Sequence, residues 1–244
     1  MDFTWVTTPA TADTSAGYHI KMSGEIRNGD FDRFKAFIRK SLSRYESHRF
    51  IEVSSNGGNL VEALKIAELL KIMYPSITVD GDCASACFYI YLSGSHRFVK
   101  PSSRLGVHRA YFDKTYFAGL TPRDAKKRHT ELAILSEAIL EENGVPQEIK
   151  EIMARTPSFE IYWLSKQEIS KIGNMPDWYE EFMIAKCNYG DFLAQRKLVQ
   201  EAFRREDWEA AQKVDAAGPY VRYQKCEDQI VRMELSKLPT ILKK

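Results

Sequence analysis

The spacing of apolar residues shifts between two periods along the first 175 positions of the chain. A period of two, typical of strands with one buried face, runs through 18–26 and returns in several shorter apolar runs. A period near 3.6, typical of amphipathic helices, separates those runs. The clearest helical stripe consists of Leu60, Ala63, Leu64, Ala67 and Leu70. The pattern therefore predicts strands that alternate with helices.

This alternation defines a main domain over 16–175. Strands are predicted at 18–26, 49–53, 76–80, 96–99, 104–108 and 160–164. Helices are predicted at 30–43, 59–73, 84–92, 121–142, 147–154 and 165–172. Strand–turn–helix units in series favour an α/β layer structure with parallel strand pairing.

Both ends of the chain depart from the alternation. Residues 1–15 are rich in Thr, Ala, Pro and Asp and show no period, so we expect a flexible N-terminal arm. Residues 176–244 show only the helical period and are predicted to be an α-helical C-terminal extension. Helices are predicted there at 178–186, 190–205, 207–214 and 220–238.

Composition narrows the class of protein further. A chain of 244 residues that is 44% hydrophobic and 28% charged can bury one domain, with or without a small appendage. The 35 basic and 33 acidic residues give a net charge of +2, which argues against a nucleic-acid partner. Because no run of 18 apolar residues occurs, no integral membrane segment is predicted.

One segment of the main domain carries the residue types of a nucleophilic hydrolase. Ser85 stands between Ala84 and Ala86, in the run Cys-Ala-Ser-Ala-Cys, at the start of a predicted helix that follows a strand. Backbone N–H groups at a helix start favour negative charge near the hydroxyl, and the small neighbours leave room for a substrate. Taken alone, the segment fits a nucleophile and a serine in a small-residue packing site equally well.

A paired-glycine turn and a histidine favour the interpretation of Ser85 as a nucleophile. Gly57 and Gly58 end the run Ser-Ser-Asn-Gly-Gly, where backbone N–H groups have no side chain in the way. The N–H groups of Gly58 and Ala86 would together form an oxyanion hole. His108 ends the strand predicted at 104–108 and is the best candidate among five histidines for the base that a serine hydroxyl needs. A single histidine at a strand end is more often structural, but the order of glycine turn, serine and histidine favours a serine hydrolase.

In the same order, these motifs resemble those of the Clp protease proteolytic subunit and of the wider ClpP/crotonase superfamily. The resemblance spans about 20–173 and extends in particular to exported ClpP-like proteins of unassigned substrate, which carry a Cys-Ala-Ser-Ala-Cys segment. Asn56 replaces the proline of the family's oxyanion loop. The resemblance implies a ClpP/crotonase-like spiral of ββα units and a serine peptidase with Ser85 as nucleophile and His108 as base.

Partners and compartment also follow from the resemblance. It implies a peptide or protein substrate and a homo-oligomer. The sequence features themselves imply no cofactor and no metal, and dependence on an unfoldase partner stays open. In the family, the helix equivalent to 121–142 packs between subunits, whereas a helix lying on its own core is the alternative. The first residues lack the basic and apolar regions of a secretion signal. The compartment is therefore either the periplasm, after removal of a signal, or the cytoplasm.

The third catalytic residue departs from the family pattern. Aligned on Leu164 and Ser165, this chain has Ile161 where the family has an aspartate. Glu160 is adjacent, although strand alternation points it to the opposite face unless a bulge turns it. Asp113, five residues beyond the histidine, is the alternative carboxylate, and a Ser–His dyad is the third interpretation.

The missing aspartate keeps other functions open. A catalytically weak or inactive ClpP-fold module that oligomerises or binds is the main alternative, since a triad without its carboxylate loses much of its rate. An acyl-CoA enzyme of the crotonase type is disfavoured, because that chemistry needs neither Ser85 nor His108.

Four cysteines are present, and two of them flank the serine. Side chains at i and i+4 on a helix have Cβ atoms about 5–6 Å apart, whereas a disulfide needs about 3.5–4.5 Å. Cys83 and Cys87 can therefore pair only if Cys83 precedes the helix; two buried thiols are the equal alternative. Zinc is disfavoured because only His108 offers an obvious further ligand. Cys187 and Cys226 could join two helices of the extension.

Overall fold

The computed structural model describes residues 1–8, 17–41, 49–111, 117–205, 209–210, 214 and 217–242. The chain divides into two compact units. Unit 1 comprises Met1–Pro176 and Pro239–Lys244, and unit 2 comprises Asp177–Leu238. Unit 1 contains every residue that the sequence nominates for catalysis.

Unit 1 is built on a mixed sheet, which has seven strands among the described residues. The strands are β1 Asp2–Thr8, β2 Gly17–Ser23, β3 Phe50–Ser55, β4 Ser76–Ala84, β5 His96–Val99, β6 Arg104–Val107 and β7 Tyr162–Trp163. Their order is β1-β2-β3-β4-β6-β7, with β5 paired to the first half of β4 and β6 to its second half. Pairing from β2 to β6 is parallel, and the two edge strands β1 and β7 run antiparallel to their neighbours.

Helices connect these strands, as the alternating pattern predicted. They are α1 Asp30–Lys40, α2 Leu60–Met73, α3 Ala86–Leu92, α4 Pro122–Glu142, α5 Gln147–Arg155 and α6 Lys166–Ile172. Side chains at the helix starts explain several of these bounds: the N-cap residues Asn59, Thr121 and Ser165 accept hydrogen bonds from backbone N–H groups three residues later. The predicted α/β class is confirmed.

The core of unit 1 lies between the sheet and its helices. All seven residues of α3 are buried, which is the burial expected of a helix that is apolar on every side. This helix packs against α2, β3, β4 and α4. The serine turn is therefore followed by one of the most enclosed elements of the unit.

The predicted N-terminal arm is wrong over residues 2–8, which form β1. Phe3 and Trp5 alternate along this strand, and their rings lie 5.1 Å from Phe34 and 5.6 Å from Phe37, both on α1. Residues 2–8 are mostly Phe, Thr, Trp and Val, which favour strands, and these ring contacts hold the segment against α1. The Ala, Pro and Asp residues of 9–15 obscured this in the composition of the segment as a whole. Residues 9–15 of the predicted arm lie outside the described residues.

The strand β4 also differs from its prediction. It extends to Ala84 rather than residue 80, because Cys83 pairs with Ser55 of β3 and with Leu105 of β6. The following helix begins at Ala86, two residues later than predicted. Ser85 consequently stands between strand and helix instead of within the first helical turn.

Unit 2 is helical, with α7 Asp177–Cys187, α8 Tyr189–Arg204 and α9 Ala217–Leu235; the short α10 Leu238–Ile241 follows. A disulfide between Cys187 and Cys226 joins α7 to α9. A hydrogen bond of 2.7 Å from the Tyr179 hydroxyl to the buried Glu227 carboxylate joins the same two helices. The helix predicted at 207–214 falls largely outside the described residues.

Candidate active site

Ser85 occupies a sharp turn between β4 and α3. Its backbone has φ 57° and ψ −125°, a conformation that a non-glycine residue adopts only under constraint. Its N–H donates to the Gly106 carbonyl at 3.1 Å, and its carbonyl accepts from the Phe88 N–H at 2.9 Å. A strained strand-to-helix turn of this kind raises the nucleophilic serine above the sheet in α/β-hydrolases.

A disulfide spans this turn. Cys83, the penultimate residue of β4, is bonded to Cys87 in the first turn of α3, with Cα atoms 5.3 Å apart. Both cysteines are fully buried. Cys83 lies in the strand and precedes the helix, which is the arrangement that the sequence analysis required for this disulfide.

The glycine turn packs directly against Ser85. Gly57 has φ 97°, and a Cβ there would lie 2.6 Å from the Ser85 Cβ and 3.0 Å from its Oγ. Gly58 has φ 133°, and a Cβ there would lie 2.2 Å from the Ile26 carbonyl oxygen. Only glycine fits at either position.

Backbone hydrogen bonds hold this turn in place and leave two donors for a ligand. The Ile26 N–H donates to the Gly57 carbonyl at 2.8 Å, and the Asn59 N–H donates to the Ile26 carbonyl at 2.8 Å. The N–H groups of Gly58 and Ala86, the two predicted oxyanion donors, donate to no acceptor within the part of the chain that the structure describes.

His108 follows the last residue of β6 and is 7% exposed. Its Nδ1 lies 2.8 Å from the Arg109 carbonyl oxygen. Since a carbonyl only accepts, Nδ1 carries a proton in this contact, and the lone pair of a neutral ring is on Nε2. The ring also lies 6.0 Å from that of Tyr111.

The position of the third catalytic residue is apolar. In the β6–β7 ladder Gly106 pairs with Trp163 and Val107 with Tyr162, so one further step places Ile161 opposite His108. Ile161 also fills space against the sheet, because a Cβ on Gly106 would lie 2.5 Å from its Cγ2. An aliphatic side chain therefore stands where the family resemblance implied a carboxylate.

The structure bears on only one of the two alternative carboxylates, Glu160 and Asp113. Glu160 is exposed in the bend before β7, and among the described residues none forms a hydrogen bond or ion pair with its carboxylate. Asp113 lies outside the described residues. Among the described residues, the acceptor that orients His108 is the Arg109 carbonyl.

A cavity of about 590 Å³ brings the predicted residues together. Ser85, Ala86, Gly58 and His108 all line it, and Glu160 does not. Further lining residues that the sequence did not single out are Arg27, Asn28, Leu60, Val61, Tyr89, Tyr111 and Arg128. The motif residues thus share one concave site of the size of small-ligand pockets.

Tyr89 is the missed residue that the sequence could have revealed. It lies four positions after Ser85 on an apolar helix, and residues so spaced share one helix face. Its hydroxyl is hydrogen-bonded to Ser136 of α4, and burial raises the pKa of the phenol. Tyr89 therefore remains protonated and joins the nucleophile helix to α4.

An ion pair fastens β6, which leads into His108, to β4. Arg104 makes two hydrogen bonds to Asp82, of 2.8 Å from Nε and 2.6 Å from Nη2, and its guanidinium lies 4.0 Å from the Trp163 ring centre. The hydrogen bonds from Arg104 hold the pKa of the Asp82 carboxyl below its usual value. Asp82 lies on β4, three residues before Ser85.

Fold and cavity together define an α/β protein with a serine, a histidine and backbone donors in one site. Among solved structures, the chain matches a point mutant of ClpP1 from Listeria monocytogenes with a TM-score of 0.48 and 21% identity, over 64% of this chain and 88% of that chain. No family model and no curated protein matches the chain.

Two other kinds of site are absent from the described residues. No cluster of three or more His, Cys, Asp or Glu side chains suited to a metal ion occurs in the described part of the chain. Across those same residues, no helix combines the length and apolar character needed to cross a membrane.

Proposed function

We propose that this protein is a ClpP-like serine hydrolase that cleaves peptide bonds. One observation carries the proposal: Ser85, held in a strained strand-to-helix turn, lines the same cavity as His108 and the N–H groups of Gly58 and Ala86. The ordered motifs that resemble the Clp proteolytic subunit support the same chemistry.

Each residue has one role in the proposed reaction. Nε2 of His108 takes the Ser85 proton as Oγ attacks the substrate carbonyl carbon, and the oxyanion accepts hydrogen bonds from Gly58 and Ala86. The imidazolium then protonates the leaving amine, which leaves an acyl-enzyme on Ser85. Water, deprotonated by His108, attacks the acyl carbon and releases the second product.

Among the described residues, no carboxylate is hydrogen-bonded to the proposed base. Nδ1 of His108 donates to the Arg109 carbonyl, which fixes the tautomer whose unprotonated Nε2 can accept the Ser85 proton. A neutral carbonyl stabilises the imidazolium less than a carboxylate does. We therefore propose a Ser–His dyad. Its acylation step should be faster than uncatalysed hydrolysis of the substrate but slower than acylation by a complete Ser–His–Asp triad.

Assembly and compartment belong to the same proposal. On α4, the exposed residues Ile134 and Leu135 present an apolar surface, which supports the homo-oligomer implied by the family resemblance. The disulfides at Cys83–Cys87 and Cys187–Cys226 support an oxidising compartment, as expected of an exported protein.

The second candidate is a module of the same fold that binds peptides without cleaving them. The apolar Ile161 opposite His108 favours this alternative. A fluorophosphonate probe separates the two candidates, because it reacts only with an activated serine.

We expect the probe to label the full chain at Ser85, and Ser85→Ala and His108→Ala to abolish labelling. Ser170→Ala, at an exposed serine of α6, is the matched control and should label as the wild type does. Absence of labelling in folded wild-type protein would exclude the hydrolase and leave the binding module.

A further inference from the structure

The two cysteines around Ser85 belong to elements that differ in their neighbours. Cys83 is held within the sheet, paired with Ser55 on one side and Leu105 on the other. Cys87 belongs to the fully buried α3. Their disulfide therefore ties the end of a central strand to the first turn of a core helix, with the nucleophile midway between them.

The backbone between the cysteines has an unfavourable conformation. Ser85 has positive φ, which a serine adopts only where its surroundings impose it. The described turn has one backbone hydrogen bond on each side of Ser85, to Gly106 and from Phe88. A covalent link across the turn removes most of the other conformations that this short segment could adopt.

We infer that Cys83 and Cys87 are positioning residues for the nucleophile: their disulfide holds Ser85 in its reactive conformation, and its reduction by a dithiol lowers acylation while unit 1 stays folded. This inference rests on the proposed hydrolase function. The close packing of Gly57 on Ser85 makes the geometry sensitive, since a small movement of the serine also disturbs the glycine turn.

The redox step balances with a dithiol as the reductant. A thiolate of the reductant attacks one sulfur of the protein disulfide and forms a mixed disulfide, with the other cysteine leaving as a thiolate. The second thiol of the reductant closes its own ring and releases the remaining cysteine. Two electrons and two protons pass to the protein, which gains two thiols, and the reductant becomes a cyclic disulfide.

The second disulfide supplies a matched control within the same chain. Cys187–Cys226 lies in unit 2, and neither residue lines the cavity. Removing it also costs one cross-link, but it leaves the serine turn unchanged. An effect that acts through Ser85 should therefore appear when Cys83–Cys87 is opened and should not appear when Cys187–Cys226 is removed.

The experiment measures the fluorophosphonate labelling rate and the kcat and KM for a nitrophenyl ester, using the full chain. Oxidised, dithiol-treated and re-oxidised wild type are compared with Cys83→Ala/Cys87→Ala and Cys187→Ala/Cys226→Ala. Alkylation and mass spectrometry identify which disulfide is open, and circular dichroism verifies the fold.

We expect opening of Cys83–Cys87 to lower labelling and kcat by roughly tenfold to a hundredfold, with KM unchanged, because a misplaced nucleophile reacts slowly but does not alter binding. Re-oxidation should restore the rate. The Cys83→Ala/Cys87→Ala variant should be slow and insensitive to the dithiol. The unit 2 variant should match the oxidised wild type in rate and should still slow down when the dithiol opens Cys83–Cys87.

Two results would overturn the inference alone: wild-type labelling rates in the folded Cys83→Ala/Cys87→Ala variant, or a Cys83–Cys87 bond that the dithiol opens only on unfolding. If that variant does not fold, dithiol-treated wild type makes the same comparison without a substitution. Failure of the oxidised wild type to label would instead overturn the proposed function, and the inference with it.

Discussion

Ser85, the proposed nucleophile, and His108, the proposed base, are held in place very differently. Ser85 is fixed by a disulfide, by hydrogen bonds to Gly106 and Phe88, and by contact with Gly57. His108 lies beside the two-residue edge strand β7, and its ring donates a hydrogen bond to the adjacent Arg109 carbonyl. The difference indicates that the residues around the proposed nucleophile and oxyanion donors are held more firmly than the proposed base.

The largest expected effect comes from breaking the nucleophile side at Gly57. In Gly57→Ala the new Cβ meets Ser85 at 2.6 Å and the Ala84 carbonyl at 2.8 Å, so the serine turn or the glycine turn must move. We expect acylation, measured by fluorophosphonate labelling, to fall on the order of a hundredfold. Gly17→Ala, where a Cβ meets nothing within 4 Å, is the control. Equal rates for the two variants would show that the contact is unimportant.

Strengthening the base side should produce the next largest effect, in the opposite direction. Ile161→Asp places a carboxylate opposite His108, where it can stabilise the imidazolium. We expect kcat for an ester substrate to rise by about tenfold. Ile161→Asn controls for shape without charge. If both variants behave alike, the base does not limit the reaction.

A smaller effect is expected where the nucleophile helix meets α4. Tyr89→Phe leaves the buried Ser136 hydroxyl without its partner, which should lower the free energy of unfolding by about 1–3 kcal/mol. Chemical denaturation measures this change. The double variant Tyr89→Phe/Ser136→Ala should be less destabilised than the sum of the two single variants, and strict additivity would argue against a direct hydrogen bond.

The smallest effect is expected at the exposed ion pair that fastens β6 to β4. Arg104→Gln removes the partner that lowers the pKa of Asp82. A lowered carboxyl pKa stabilises the fold above the unfolded value and loses that contribution as pH falls through the folded value. The difference in melting temperature between wild type and variant should therefore shrink below about pH 4.

The control for that ion pair is Lys127→Gln, at the looser Lys127–Glu131 pair of α4, whose closest atoms lie 3.9 Å apart. We expect this variant to melt as the wild type does at every pH. A difference for Arg104→Gln that stays constant from about pH 3 to 7 would mean that the Asp82 charge is not involved.

Local sequence patterns were sufficient to predict the α/β class and to pick out Ser85, Gly58 and His108. The helix caps at Asn59 and Thr121 depend on residues three positions apart, and such signals are visible in one sequence. Ser85, Gly58 and His108 were recognisable because each ends or begins a periodic run. Their assembly in one cavity then follows from parallel strands that end at the same edge.

What the sequence did not reveal depends on long-range register. The strand β1 exists because Phe3 and Trp5 meet α1, some thirty residues away in the chain. The alignment placed Ile161 at the aspartate position, but that this residue stands opposite His108 depends on how β7 pairs with β6, which no local pattern specifies. The choice between a Cys83–Cys87 disulfide and two buried thiols depended on where β4 ends. That strand extends four residues past the predicted end because β6 pairs there.

The enclosure of α3 has a consequence for how the protein is inactivated by heat. Because every residue of this helix is buried and Cys83–Cys87 ties the serine turn to it, heat cannot open the turn while the disulfide is intact without exposing the core. The two-residue β7 ladder beside His108 can instead fray at far lower cost. The proposed activity should consequently be lost reversibly at temperatures below the melting transition, while Ser85 still keeps its native geometry.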